Sequence, residues 1–163
     1  MTAAPPPFDS ARFRQVLGHF PTGVTVITAP GEPHNVGMSV GSFSSVSLDP
    51  PLVGFFAGKD SATWPGIEKA GVFCVNILAE DQEELSRRFA SKDDDKFVGV
   101  GWKPAGTGAP LLDGVLAWID CQIDRVLDAG DHHCVLGRVL DLGVGHEGRP
   151  LIFFRGGYGR FTS

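Results

Sequence analysis

Hydrophobic and polar positions change their spacing several times along the chain, and each change marks an element. Phe13, Val16, Leu17 and Phe20 recur at three- and four-residue steps, the stripe of an amphipathic helix over residues 11–19. Asp9 or Ser10 supplies its cap, and Pro21 ends it. Residues 23–28 (GVTVIT) alternate and are β-branched, which predicts a strand. Pro30, Gly31 and Pro33 form a turn. Residues 35–40 and 43–47 read as extended pieces on either side of Gly41, and Asp49-Pro50-Pro51 breaks the pattern before a buried strand at 52–57. A short helix follows at 63–70, with Pro65 in its first turn and Gly71 as C-cap. Next come a strand at 72–78 and a helix at 81–90, acidic early and ending in Arg87 and Arg88, as the helix dipole favours. Residues 92–96 are a charged loop, and 100–110 a Gly- and Pro-rich connection. Residues 114–128 and 132–144 form a long hairpin, and 151–154 and 158–161 finish the chain as strands.

Many short strands with two or three helices predict a mainly β fold, an antiparallel barrel with helical decorations. A doubly wound sheet is excluded because helices and strands do not alternate. Residues 1–10, opening MTAAPPP, read as a flexible N-terminal leader, and residues 11–163 as one domain. The net charge of −5 argues against nucleic acid, whose phosphates demand a basic footprint. Cys74, Cys121 and Cys134 lack any CxxC spacing and read as reduced thiols. No apolar run is long enough to cross a bilayer and the start lacks a signal pattern, so the expectation is a cytoplasmic protein with no membrane partner.

Hydrolytic motifs are missing: there is no GxSxG elbow between a strand and a helix (GMSVG at 37–41 lies in an extended piece), no HExxH and no P-loop, and the Gly/Ser segment contains no GxGxxG. His132, His133 and Cys134 are consecutive, and strand neighbours point to opposite faces, so no metal site is expected. The segment 37–51 (GMSVGSFSSVSLDPP) holds Ser39, Ser42, Ser44, Ser45 and Ser47 between Gly37 and Gly41. Such hydroxyls and accessible backbone suit a polar ligand edge or a phosphate; a solvent-facing polar strand explains them equally. Lys59–Thr63 leads into a helix start, which is either a phosphate cradle or an ordinary cap. Arg87, Arg88, Ser91, Lys92 and Lys96 gather positive charge, as a ligand site or as a solvated helix end. Arg155-Gly156-Gly157-Tyr158 reads as a hairpin turn or as a stacking platform for a ring.

Taken in order, seven segments resemble the flavin reductase-like family, the reductase components of two-component flavin monooxygenases. They are FRQVLGHFPTGVTVIT, GMSVGSFSSVSLDPPLV, KDSATWPGIEKAGVFCVNIL, LSRRFASKDDDKF, GAPLLDGVLAWIDCQI, GDHHCVLGRV and PLIFFRGGYGRF, spanning residues 11–161. The resemblance implies an FMN-binding split β-barrel with Greek-key order, working as a homodimer. It implies hydride transfer from NADH or NADPH to FMN or FAD, and delivery of reduced flavin to a partner monooxygenase. By motif, Ser39, Val40, Gly41 and Ser42 would line the isoalloxazine edge, and Ser45 and Ser47 would reach the ribityl chain or phosphate. Ser61 and Thr63 would hold phosphate. Phe89, Ser91, Lys92, Lys96 and Phe97 would border the flavin tail. His132 would face the nicotinamide, with Arg155 and Tyr158 near the same pocket. Family members commonly carry Thr or Ala and Asn where this chain has Ser39, Val40 and Gly41, so contacts at Gly41 would be through backbone. Two rival readings are a non-catalytic flavin-binding carrier and a pyridoxine-phosphate-oxidase-like FMN enzyme.

Overall fold

A computed structural model describes residues 2–163; Met1 of the leader lies outside the described residues. The elements run α1 (Ser10–Leu17), β1 (Thr22–Gly23), β2 (Thr25–Ala29), β3 (Val36–Val40), β4 (Ser44–Ser47) and β5 (Leu52–Gly58). They continue with α2 (Trp64–Ala70), β6 (Val72–Ile77), α3 (Glu83–Ala90), β7 (Trp102–Pro104) and β8 (Pro110–Leu112). The chain closes with β9 (Ala117–Ala129), β10 (His132–Val144), β11 (Leu151–Phe154) and β12 (Gly157–Arg160).

The main sheet has seven strands in the order β3-β2-β6-β9-β10-β5-β4, all antiparallel. It does not close: β3 and β4, successive in the chain, are its two edges. The mainly β, split-barrel expectation holds in this open form. Inside the curl, Ile27, Val53, Phe55, Phe73, Val75, Cys121 and Val135 meet Trp64 and Ile67 of α2. Phe55 sets its ring edge-on to Phe73 at 5.2 Å. A second cluster lies on the other face, where Val26, Cys74 and Leu78 pack under Phe89, Phe97, Leu112 and Leu151. Covered on both faces, β2 is buried at every position, which explains its unbroken apolar and Thr run.

Two sequence expectations are corrected. The run at 23–28 is not one strand: β1 pairs with β11 in a separate three-stranded sheet, while β2 pairs with β3 and β6. The chain changes sheet at buried Val24. The connection at 100–110 contains a strand, β7, paired with β8. Tertiary bonds outweigh its Gly and Pro punctuation: buried Asn76 accepts from Leu112 N–H at 2.8 Å and donates to Val26 O and Thr28 Oγ1, both at 3.1 Å. The Thr28 hydroxyl in turn donates to Pro110 O, and Asp120 accepts from Thr107 N–H and hydroxyl. The expected helix α1 forms, with Asp9 accepting from Arg12 N–H at 2.8 Å, and buries nothing. Its apolar stripe faces out, with Phe13 at 52% and Val16 at 59% exposure.

Candidate functional site

Edge strand β3 runs alongside α3, and the loop between β5 and α2 faces them both across a groove. The groove has three adjoining parts. The largest, about 500 Å³, is lined by Met38, Ser39, Asp60, Ser61, Thr63, Phe89, Ser91, Lys92 and Lys96, among others. It shares Ser39 and Ala90 with a second part of about 220 Å³, lined also by Val40, Gly41, Ser86, Phe153 and Tyr158. It shares Thr63, Lys92 and Lys96 with a third, of about 180 Å³, which His34, Asn35 and Asp94 border. One end of the groove thus gathers hydroxyls and two lysines beside Asp60, Asp93 and Asp94, and the other is aromatic.

The cationic end is built around Lys96, only 9% exposed. Its ammonium donates to Gly37 O at 3.2 Å, Phe89 O at 3.2 Å and Thr63 Oγ1 at 3.3 Å. An ammonium has three donors, and here all three have protein acceptors. Lys96 therefore ties β3, the end of α3 and the start of α2 together. Burial lowers its pKa from the ordinary lysine value, with nearby Asp93 opposing the shift. Gly37 permits this close assembly: a Cβ there would meet the Phe89 ring at 2.7 Å. Lys92, by contrast, is exposed. At the start of α2, Ser61 Oγ accepts from Thr63 N–H and Trp64 N–H, both at 3.2 Å. Ser61 thus does the capping that Thr63, in the cap position, does not.

At the aromatic end, the Ser39 hydroxyl donates to Ser86 O at 2.6 Å, and the Ser86 and Tyr158 hydroxyls are 2.9 Å apart. The Arg87 guanidinium lies 4.8 Å from the Tyr158 ring centre, and Phe153 meets the same ring edge-on at 5.3 Å. Beside Gly41, the Thr22 hydroxyl is buried with no partner and would stand 3.2 Å from a Cβ at residue 41.

Of the residues singled out from the sequence, the groove gathers Ser39, Val40, Gly41, Ser61, Thr63, Phe89, Ser91, Lys92, Lys96 and Tyr158. Others stand apart. Ser42 bridges to β5, accepting from Phe56 N–H at 3.0 Å and donating to Phe56 O at 3.3 Å. Ser45 and Ser47 lie on β4, at the opposite edge of the sheet from β3. Phe97 is core, 5.1 Å from Phe89 and 6.3 Å from Trp102. Arg155 occupies the β11–β12 turn with φ 52° and covers Phe154 at 5.8 Å.

His132 stands at the start of β10 opposite Gly58. Its Nδ1 is 2.7 Å from Asp131 Oδ1, and this contact holds the Asp131 carboxyl below the usual carboxylate range. Lys59 N–H donates to Asp131 O at 2.9 Å, so the His132 turn is fastened to the loop that carries Asp60 and Ser61 into the groove. Ser86 and Phe153 line the groove without having been singled out from the sequence. The one available signal was Ser86 itself, a small polar residue three positions before Phe89 on the buried face of α3.

The sequence profile of the flavin reductase-like domain family matches residues 17–162. A flavin reductase of Pseudomonas putida is 50% identical over 156 residues, covering 95% of this chain and 92% of that protein. The reductase subunit HsaB of a flavin-dependent monooxygenase from Rhodococcus jostii is 49% identical over 150 residues, covering 92% and 77%. Among solved structures, the Streptomyces globisporus NADH:FAD oxidoreductase SgcE6, in complex with NAD and FAD fragments, superposes with a TM-score of 0.90 at 37% identity. It covers 99% of this chain and 98% of its own.

Proposed function

This chain belongs to the flavin reductase-like domain family, and on that footing we propose that it transfers hydride from NADH or NADPH to FMN or FAD and supplies the reduced flavin to a monooxygenase component. The observation that carries the reading is the groove joining a hydroxyl- and lysine-bearing end to an aromatic end through Ser39. Those two ends match the two chemistries of a flavin nucleotide, an anionic tail and a planar ring. The donor set fits as well: exposed Lys92 and the hydroxyl-lined start of α2 suit phosphate, and the unpartnered Thr22 hydroxyl beside Gly41 suits a polar ring edge.

When bound, the flavin supplies the electron acceptor and the reduced nicotinamide supplies the hydride, so the redox chemistry resides in the cofactors. The protein's task is to hold two rings close and dry. Phe153 and Tyr158 wall the ring end, Ser39 to Gly41 offer backbone at close approach, and Lys92, Ser61 and Thr63 anchor the tail. His132, whose turn is fastened to the Lys59–Ser61 loop, orients the nicotinamide in this proposal. No side chain is required as a general acid or base.

The active unit in this proposal is a homodimer. Phe13, Val16 and Leu17 on α1 and Phe20 just after it, with Leu140, Leu142 and Val144 on β10, are each more than half exposed. Apolar surface of this extent calls for cover, and a second copy supplies it. Sedimentation at falling concentration tests this: flavin affinity and activity are expected to fall together with the dimer, and a verified monomer retaining both would contradict it. The three free thiols suit a reducing compartment, with Cys74 and Cys121 each pushed up to about 12, chiefly by burial, and we place the reaction in the cytoplasm.

The test of function is loss of reduced nicotinamide with the four pairings of NADH or NADPH and FMN or FAD. Oxidation well above the protein-free rate in at least one pairing is expected, and none in any would overturn the reading.

A further inference from the structure

We propose that Ser86 is a positioning residue for hydride transfer: it locks Tyr158 and Ser39, one from each wall of the ring end, into a single arrangement. The inference rests on the flavin reductase reading. Ser86 is 1% exposed, so water does not compete for its hydroxyl. The Ser39 hydroxyl has one proton, and the 2.6 Å bond to Ser86 O takes it. At the 3.4 Å contact between the two serine hydroxyls, Ser39 is then the acceptor and Ser86 the donor. With its own proton directed to Ser39, Ser86 Oγ accepts from the Tyr158 hydroxyl at 2.9 Å. One proton order satisfies every member: Tyr158 to Ser86, Ser86 to Ser39, Ser39 to the Ser86 carbonyl.

The ring of Tyr158 is fixed independently. Arg87, the residue after Ser86, sits over the ring and is itself held by Glu83 at 2.8 and 3.1 Å. Phe153 blocks the ring from the side. Two consecutive residues of α3 therefore set the height and tilt of Tyr158, the chain's one tyrosine. Ser86 also lines the groove beside Val40 and Gly41. Its truncation loosens both walls of the ring end and leaves the tail-binding residues Ser61, Thr63 and Lys92 untouched. The effect should therefore fall on the rate of transfer rather than on cofactor affinity.

The experiment is a double-mutant cycle on Ser86→Ala and Tyr158→Phe, with Ser86→Thr as the rescue variant, read as kcat, KM for NAD(P)H and flavin Kd. Each single variant should lower kcat about five-fold, or ~1 kcal/mol at 1.36 kcal/mol per tenfold. KM and Kd should stay within about two-fold, and the double variant should fall no further than either single one. Ser86→Thr, which keeps the hydroxyl, should recover most of the loss. An unchanged kcat in Tyr158→Phe, which removes the same bond without altering buried Ser86, would overturn the proposal even if Ser86→Ala failed to fold. Multiplicative losses of about 25-fold in the double variant, or losses in KM and Kd alone, would overturn it too. Failure of the parent protein to oxidise NAD(P)H with any flavin would instead sink the reading on which it rests.

Discussion

Replacing Lys96 by Met separates two roles that a lysine in this groove could have. The substitution keeps an unbranched chain of similar reach and removes all three donors. Gly37 O, Phe89 O and Thr63 Oγ1 each lose a partner, at 3.2, 3.2 and 3.3 Å. Bonds from a charged donor contribute about 1.5–3 kcal/mol each, and burying the ammonium offsets part of that sum. The net loss comes to about 2–4 kcal/mol. For a domain of this size each kcal/mol moves the thermal midpoint by about 2–4 °C, so a fall of roughly 4–16 °C is expected. Thermal unfolding read by circular dichroism, beside flavin titration of the same samples, provides the assay. Lys92→Met, at an exposed position, is expected to leave the midpoint within ~2 °C and to weaken flavin binding. The reasoning is refuted if Lys96→Met melts with the parent while its flavin affinity collapses, for Lys96 would then be a free ligand rather than a tie.

Lys96 also has a pH signature. Burial sets its folded pKa below 10.5, so between that lowered value and 10.5 the unfolded chain holds more protons than the native one. Stability from this group therefore rises with pH across that window, and urea midpoints of Lys96→Met should lack that rise; an identical slope in the variant would contradict it. Asn76→Ala should cost about 2–4 kcal/mol and speed hydrogen exchange over residues 102–112, because Leu112 N–H loses its acceptor. Exchange there at the parent's rate would mean that other contacts hold the ribbon. His132→Ala should raise the NAD(P)H KM or lower turnover several-fold, and if both are unchanged His132 has no part in nicotinamide binding.

Hydroxyls, glycines and punctuation reveal much of this molecule, but they do not reveal facing. Residues 37–51 read as one hydroxyl-rich segment, yet Ser39 opens into the groove while Ser45 and Ser47 sit on the far edge of the sheet. Gly41 follows β3, and beyond it the chain crosses to β4, a change that local spacing does not encode. Phe89 and Phe97 look alike in sequence, but only Phe89 borders the groove; Phe97 fills the core beneath it. Ser86 went unseen because amphipathic patterning registers apolar positions, and a buried hydroxyl gains meaning only from its partners Ser39 and Tyr158. The β7–β8 ribbon is likewise held by Asn76 and Thr28 from distant strands, against the local signal of Pro104 and Pro110. By contrast, the β9–β10 hairpin and the Gly71 end of α2, at φ 71°, are determined locally and were readable as such.

The most direct measurement is an anaerobic single turnover, mixing NADH or NADPH with the flavin-loaded protein and following flavin absorbance. Bleaching in one saturable phase, far faster than with free flavin at the same concentrations, is the predicted result. Bleaching no faster than in the protein-free mixture would leave a flavin carrier in place of a reductase and contradict the central claim.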